Sequence, residues 1–365
     1  MREFLPQEDT ILLVYGGGSI RRNGVYDQVV EALKGLNYVE YSGIQPNPAY
    51  EQLMPALTII RSKNIRFILA VGGGSVIDGA KFLAAAACYK GADPWEILSA
   101  GVPVTEALPL GTVLTLPATG TEMNANAVIT RQSVSQKLAF ASNAVMPRFS
   151  VLDPMVTYSL PKKQLANGII DAYVHVLEQY LTYPMQAEVQ DRFAESLLIV
   201  LKDVGSRIYA EDTPDYDSRA NFMWAAANAL NSSLSMGVRT DWTTHTLGHE
   251  LTVLYGWDHA LTLAVVLPGV MQVAGEARKD KMLQYADRIW GVSSTDSLAV
   301  IREATRLTEQ FFRCLGVRTR FSELGIGHEV IDLVVDRLKS RGVHFLGRGK
   351  DLTIEDVPPI LRSRL

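Results

Sequence analysis

Histidines concentrate in one stretch of this 365-residue chain, and one of them lies four residues from an aspartate. The cluster comprises Asp171, His175, His245, His249 and His259. A four-residue spacing, as in Asp171 with His175, stacks side chains on one face of a helix. A carboxylate and several imidazoles can fill the coordination sphere of a divalent metal. A lone histidine would more simply be a core or surface residue, but this cluster favours a metal site. Spacing alone leaves all five residues as candidate ligands.

Two glycine-rich segments precede the cluster, each at the end of an apolar run. Between a strand and a helix, such a turn lets backbone N–H groups approach phosphate oxygens, and the helix N-terminus adds partial positive charge. We therefore expect a nucleotide cofactor, although a tight turn that binds nothing is the alternative. In the second segment, the expected pyrophosphate contacts are Gly73, Gly74 and Ser75.

The first glycine turn bears on the choice between NAD and NADP. Sites that select NAD often place Asp or Glu near a strand end, where it binds the ribose 2′-hydroxyl. Here the turn offers glycines and Ser19, with Arg21 and Arg22 just beyond. Because a carboxylate would repel a 2′-phosphate, its absence beside two cations favours NADP. Two solvated arginines are the alternative.

A third polar segment, Leu114–Thr130, could line a cofactor cleft, and Lys137 beyond it could meet a ribose or a phosphate. Taken alone, the segment is typical of a polar loop and the lysine of a protein surface. The candidate side chains of the segment are Thr115, Thr119, Thr121, Asn124 and Asn126.

Apolar runs alternate with helical patterns in the first part of the chain, which predicts a parallel sheet covered by helices. The predicted strands are Thr10–Tyr15, Phe67–Val71, Val113–Leu116 and Phe149–Leu152. The predicted helices between them are Tyr26–Leu36, Glu51–Lys63 and Val76–Tyr89. We interpret residues 1–157 as an α/β, Rossmann-like dinucleotide-binding domain.

Beyond Pro161, helical patterns follow one another with few strand signals, so residues 158–365 are predicted to form an all-α, metal-binding domain. The clearest predicted helices are Gln164–Tyr180, Gln186–Tyr209, Ser218–Ser235, Thr243–Tyr255, Ala260–Val273, Leu298–Leu315 and Glu329–Ser340.

Composition excludes several classes of function. The chain is 47% apolar and 20% charged with a net charge of −4, and no basic stripe suggests nucleic acid or an anionic membrane. Apolar surroundings of Cys88 and Cys314 favour reduced thiols. Because the first residues lack the apolar core of a signal peptide, we expect a cytoplasmic protein.

Taken together, the motifs resemble the iron-containing, or group III, alcohol dehydrogenase family, and within it the branch of butanol dehydrogenases and NADPH-dependent aldehyde reductases. The motifs are GGGSxxDxAK at Gly72–Lys81, ATGTE at Ala118–Glu122, DAxxH at Asp171–His175 and HxLGHELxxxxGxDHAxTLAxVLP at His245–Pro268. The loop LTLPATGTE departs from the PTTAGTGSE of many members. The resemblance covers most of the chain and implies the same two-domain fold.

The resemblance also implies roles for individual residues. The metal ligands would be Asp171, His175, His245 and His259, whereas His249 would lie beside nicotinamide and substrate. The ion would be Fe²⁺ or Zn²⁺, with Ni²⁺ or Co²⁺ as further possibilities. The adenosine-ribose turn of NADP-using members would correspond to Gly17, Gly18 and Ser19. Other cofactor contacts would come from Asn47, Gly73, Gly74, Ser75, Asp78, Thr115, Thr119 and Lys137.

The implied activity is the interconversion of primary alcohols and aldehydes with NADP(H), favouring aldehyde reduction. The implied assembly is a homodimer. Related chains usually carry an extra strand hairpin before Leu5–Tyr15 that helps build the dimer, so its absence would expose a sheet edge and weaken or alter that dimer.

Three alternatives to this activity stay open. One is another dehydrogenase of the superfamily, such as a glycerol or diol enzyme. A second is a metallohydrolase, although Glu250 follows the second histidine of HxxxH and so does not form HExxH. A third is a binding protein without catalysis.

Overall fold

The computed structural model describes residues 1–365, which divide into two compact units, Met1–Leu160 and Pro161–Leu365. The boundary predicted from the sequence lies at residue 157. No helix in the structure combines the length and apolar character that crossing a bilayer requires.

The first unit is built on a parallel sheet with the strand order β2-β1-β3-β4-β7, and β5 and β6 form a separate antiparallel hairpin. The strands are β1 (Ile11–Gly16), β2 (Tyr38–Ile44), β3 (Phe67–Gly72), β4 (Leu110–Leu114), β5 (Asn126–Arg131), β6 (Gln136–Ala141) and β7 (Phe149–Leu152). The helices are α1 (Ser19–Arg22), α2 (Val25–Leu33), α3 (Tyr50–Ser62), α4 (Gly74–Cys88) and α5 (Glu96–Ser99).

The central strands of this sheet follow from apolar runs in the sequence. All six residues of β3 are buried, as are the first five of β1, which suits strands covered on both faces. The two strands pair in parallel from Ile11 opposite Phe67, so the glycine turns that follow them emerge at the same sheet edge. This confirms the α/β class predicted for the first part of the chain.

Strand β2 and the hairpin of β5 and β6 were absent from the predicted elements. Strand β2 is an edge strand whose residues are almost all partly exposed, and it contains Gly43, so its apolar signal is weak. The hairpin lies in the segment interpreted as a polar loop and just beyond it.

The second unit is helical, which confirms the predicted class. Its helices are α6 (Lys162–Tyr180), α7 (Glu188–Ala210), α8 (Tyr216–Ala229), α9 (Thr243–Tyr255), α10 (His259–Ala274), α11 (Lys279–Trp290), α12 (Ser297–Cys314), α13 (Glu329–Ser340) and α14 (Val357–Arg362). Helices α11 and α14 were not among the clearest predicted helices.

Two helices form the centre of this unit. Every residue of α6 from Gly168 to Tyr180 is buried, and α6 packs against α7, α8 and α10. Helix α10 packs against α9 at Gly248, where an added Cβ would lie 2.9 Å from Thr262 Oγ1. The close approach brings the start of α10 to the face of α9 that carries its histidines.

Candidate active site

Helix α6 supplies the first two residues of the histidine cluster. Asp171 and His175 are one turn apart and buried, and Nε2 of His175 lies 3.7 Å from Oδ1 of Asp171. A carboxylate and an imidazole inside a helix core are costly to bury unless they pair or bind a metal. The two residues lie on one face of α6, as their spacing predicts.

Helices α9 and α10 bring further imidazoles to this pair. The ring of His245 stacks on that of His175 at 4.7 Å between centroids and lies 5.2 Å from the ring of His259. Nε2 of His259 is 3.7 Å from the same Oδ1 of Asp171 that His175 approaches. One possible ligand atom from each of Asp171, His175 and His245 lies within 4.8 Å of the others.

This donor set fits a divalent ion. Three imidazoles and one carboxylate are ligands that Fe²⁺, Zn²⁺, Co²⁺ and Ni²⁺ accept. With bonds of roughly 2.0–2.2 Å, neighbouring ligand atoms around a tetrahedral ion are about 3.4 Å apart. Both separations from Oδ1 of Asp171, at 3.7 Å, are close to that value.

His249 lies beside this group. Its ring centroid is 6.3 Å from that of His245 and 5.4 Å from that of His259, and the residue is only partly buried. It does not belong to the three residues whose ligand atoms lie within 4.8 Å of one another. The four-residue spacing from His245 therefore brings the two imidazoles into proximity without making His249 one of that trio.

Sequence reasoning missed Glu178, a buried carboxylate at the edge of the cluster. It lies on α6 one turn beyond His175, and its Oε2 is 2.6 Å from Nδ1 of His245. Burial raises the pKa of Glu178 to about 7. The signal was available, because the spacing of Asp171, His175 and Glu178 repeats the face of a helix.

The start of α9 has an unusual backbone. Trp242 precedes the helix at φ 80, in the left-handed region that bulky residues rarely adopt, and gives the helix no side-chain cap. Its ring lies 5.2 Å from the ring of His245 and 6.2 Å from that of His175. The strained residue thus packs against two of the candidate ligands.

The predicted nucleotide-binding turns follow three adjacent strands of the parallel sheet. Gly17, Gly18 and Ser19 follow β1, Gly73, Gly74 and Ser75 follow β3, and Thr115 follows β4. An added Cβ at Gly74 would lie 2.7 Å from Oγ1 of Thr119, so that glycine permits a close approach of two predicted contact residues. Open space surrounds Gly17 and Gly18, and Gly18 has φ +96. The carboxyl ends of parallel strands are where open α/β sheets bind ligands.

Two more predicted contacts, Asn47 and Lys137, meet Ser75 at this edge. Nζ of Lys137 donates to Oδ1 of Asn47 at 2.9 Å, and the backbone N–H of Asn47 donates to Oγ of Ser75 at 3.3 Å. The structure therefore brings together residues 47, 75 and 137, which are far apart in the sequence.

Asp78 joins the sheet region to the hairpin. Its carboxylate accepts from the hydroxyl of Thr121 at 2.7 Å and from the backbone N–H of Val128 at 2.9 Å. Lys81, one turn further along α4, is buried and donates to both oxygens of Asn124 and to the carbonyl of Asn126. These bonds hold the polar segment that carries the predicted cofactor contacts.

Three ionisable groups in this region, Asp78, Lys81 and Glu122, have displaced pKa values, and burial raises that of Asp78. Burial lowers the pKa of Lys81 to about 8, and burial raises the pKa of Glu122 to about 7. Both side chains are almost completely excluded from solvent, at 0% and 3% exposure.

Arg21 has several partners in the first unit. It donates to the hydroxyl of Tyr15 and to Oε2 of Glu40 at 3.0 Å, and its guanidinium lies 3.7 Å from the ring centroid of Tyr26. Glu40 lies on β2, so the structure places a carboxylate beside one of the two cations of the first turn. Its carboxylate also accepts from both tyrosine hydroxyls.

Two protein-family models match this chain, one in each of its two units. Residues 1–154 match the family model described as iron-containing alcohol dehydrogenase, and residues 165–364 match the C-terminal model of the Fe-containing alcohol dehydrogenase family. The chain belongs to the iron-containing alcohol dehydrogenase family. It is therefore an oxidoreductase of this family, as the motifs predicted, and the metallohydrolase alternative loses its support.

The similarity to individual members of the family extends over nearly the whole chain. The NADPH-dependent aldehyde reductase YqhD of Escherichia coli K12 is 48% identical over 97% of this chain and 92% of its own length. The NADH-dependent butanol dehydrogenase A of Clostridium acetobutylicum is 36% identical over 97% and 91%. The crystal structure of Escherichia coli YqhD superimposes with a TM-score of 0.97 and covers 100% of this chain and 94% of that one.

Proposed function

We propose that this chain is a metal-dependent, NADPH-dependent reductase of aldehydes that also oxidises primary alcohols. The buried group of Asp171, His175 and His245, with His259 against the same aspartate oxygen, carries the proposal. In an enzyme of the alcohol dehydrogenase family, such a donor set would bind a divalent ion that acts as a Lewis acid on the substrate. The relatives in the preceding section act on aldehyde or butanol, so a small aldehyde is the substrate class to test first.

Asp171, His175, His245 and His259 would hold the ion, with Fe²⁺ or Zn²⁺ as the first candidates and Co²⁺ or Ni²⁺ as alternatives. When bound, the ion supplies a Lewis acid and the reduced nicotinamide supplies a hydride. His249, or a water molecule at the site, would donate the proton that converts the carbonyl oxygen of the substrate into the hydroxyl of the alcohol. The ring of His249 lies next to the group without belonging to the buried trio.

The preference for NADPH rests on two observations. The carboxyl end of β2, where an NAD-selecting carboxylate commonly lies, is Ile44 followed by Gln45, Pro46 and Asn47. Glu40, earlier in the same strand, is engaged by Arg21 and two tyrosines. The relatives include both an NADPH-dependent and an NADH-dependent enzyme. A homodimer, implied by the resemblance, and a cytoplasmic location, expected from the first residues of the sequence, stay predictions.

An absorbance assay with butanal and NADPH tests the proposal. Protein stripped of metal should be inactive and should regain activity with Fe²⁺ or Zn²⁺, and kcat/KM should be higher with NADPH than with NADH. Metal-stripped protein that keeps its full rate would refute the metal-dependent mechanism. A clear preference for NADH would overturn only the cofactor assignment.

Two histidine variants separate the roles within the cluster. His245→Ala should lose bound metal and activity together, because it removes a ligand. His249→Ala should keep the metal and lose rate by a factor of about 100 to 10,000, the usual contribution of a proton-transfer group. Metal analysis and initial rates on the same preparations make the comparison, and a fully loaded, active His245→Ala enzyme would refute the ligand assignment.

A further inference from the structure

We infer that Glu178 is the positioning residue that orients His245 as a metal ligand. Its carboxylate also caps the N-terminus of α9, the helix that carries His245. The inference rests on the proposed metal centre. Glu178 is not one of the four proposed ligands. It acts through His245, and its position on α6, behind the imidazole, allows it to do so.

The contacts of Glu178 converge on one short segment. Its Oε1 accepts the backbone N–H of Thr244 at 2.8 Å, and its Oε2 accepts that of His245 at 3.1 Å. The same Oε2 lies 2.6 Å from Nδ1 of His245. Its own carbonyl oxygen accepts the backbone N–H of Asp241 at 2.8 Å. One residue of α6 therefore makes four hydrogen bonds to residues 241–245.

These bonds replace a missing local cap. The first N–H groups of a helix have no partner within the helix, and a side chain just before it usually accepts one of them. Trp242 occupies the N-cap position of α9, and its indole side chain cannot accept a hydrogen bond from these N–H groups. The carboxylate of Glu178 accepts two of these N–H groups, so it fixes the backbone from which His245 projects.

The contact with the ring selects its chemical form. A carboxylate at Nδ1 favours the tautomer in which Nδ1 carries the proton, which leaves Nε2 with its lone pair available to an ion. Carboxylates bonded to ligand histidines in this way orient the ring and raise its basicity. Burial of Glu178, at 3% exposure, keeps water from competing for this bond.

The test measures metal affinity directly in the full-length protein. Co²⁺ is titrated into metal-free wild type and variants, and its visible absorption reports both affinity and coordination geometry. Glu178→Gln should weaken Co²⁺ binding roughly 10- to 100-fold, because a neutral amide cannot raise the basicity of the imidazole as a carboxylate does and has only one oxygen to accept the two N–H groups of α9. Glu178→Asp keeps a carboxylate and should recover part of the affinity.

Glu195→Gln is the matched control. Glu195 is also a buried carboxylate of the second unit, at 4% exposure, but it binds Tyr180 and Arg288 and not the histidines. The variant should keep wild-type Co²⁺ affinity even where its stability falls. Glu178→Gln that binds Co²⁺ within twofold of wild type, or Glu195→Gln that loses as much affinity, would overturn the inference.

A measurement on the wild type decides the matter if Glu178→Gln does not fold. Nitrogen-15 NMR of histidine-labelled, Zn²⁺-loaded protein, assigned by comparison with His245→Ala, reports which ring nitrogen carries the proton. A protonated Nδ1 in His245 supports the role of Glu178, and a deprotonated Nδ1 contradicts it. If wild type binds Co²⁺ no better than His245→Ala does, the proposed metal centre itself fails, which is a separate outcome.

Discussion

Lys81 and Glu122 show what single buried charges contribute in the first unit. Lys81 is held by three oxygens from Asn124 and Asn126, and both side chains are shielded from solvent. Burial disfavours the charged form of either group, so their pKa values move toward each other, to about 8 and about 7. Each displacement makes stability depend on pH with a definite sign.

For Glu122, the folded-state pKa of about 7 lies above the unfolded value of 4.5. Between these values the folded state binds more protons, so stability falls as pH rises from 4.5 to 7. The size of that fall is on the order of 3 kcal/mol. Glu122→Gln removes it, so the variant should gain stability relative to wild type between pH 5 and pH 8, as measured by urea unfolding.

Glu303→Gln is the control for this experiment, because Glu303 is an exposed carboxylate paired with Arg306 whose pKa is lowered. It should show no such gain with pH. A Glu122→Gln difference that is the same at both pH values would contradict the prediction. Lys81 acts in a separate window, where stability should rise from about pH 8 to 10.5.

Residue spacing predicted only part of the candidate site. It places Asp171 with His175 because both lie on one helix, where geometry is local. It could not place His259 against Asp171, since that contact depends on how α10 packs on α6. The family resemblance, not the spacing, distinguished His249 from the proposed ligands.

At the scale of elements, most strands and helices with strong apolar patterns were predicted to within about three residues, but the helix predicted over Ser218–Ser235 ends at Ala229 in the structure. Helix α9 begins and ends where the pattern predicts, whereas the edge strand β2 has no clear pattern because it is only half-covered. Tertiary packing decides such elements, and a single sequence does not contain that information in readable form.

The approach of α9 to α10 sets the spacing between His245 and His259. Gly248→Ala would place a methyl group 2.9 Å from Oγ1 of Thr262, whose hydroxyl donates to the carbonyl of His259. We expect a loss of about 1–3 kcal/mol in unfolding free energy together with weaker metal binding. Chemical denaturation and Co²⁺ titration measure the two effects.

Gly205→Ala provides the comparison for that variant. It places a methyl group 2.7 Å from Cγ2 of Ile169, on the side of α6 away from Asp171, so it should reduce stability and leave metal affinity intact. Equal metal affinity in the two glycine variants would show that the contact at Gly248 does not control the histidine spacing.

For the whole molecule, the division into two units separates the proposed roles. The predicted nucleotide contacts all lie in Met1–Leu160, and the proposed metal ligands all lie in Pro161–Leu365. The sequence predicts a boundary after residue 157, because apolar strands give way to helical patterns there.

The metal ion should therefore stabilise mainly the second unit, and NADPH mainly the first. Zn²⁺ at 100 times its dissociation constant would stabilise the folded state by about 2.7 kcal/mol. Hydrogen exchange of the full-length protein should show new protection in α6, α9 and α10 with Zn²⁺, and in the turns after β1, β3 and β4 with NADPH. Zn²⁺-induced protection confined to the first unit would contradict the assignment.

The start of α9 also has a consequence for the order of folding. Its first N–H groups are satisfied by a carboxylate 66 residues earlier in the chain, and no neighbouring side chain substitutes for it. A helix that lacks a local start signal gains its stability from long-range contacts, which form slowly because a long loop must close first. Helix α9 should thus become ordered after α6, so the proposed metal ligands on α9 and α6 should come together only once that long-range contact has formed.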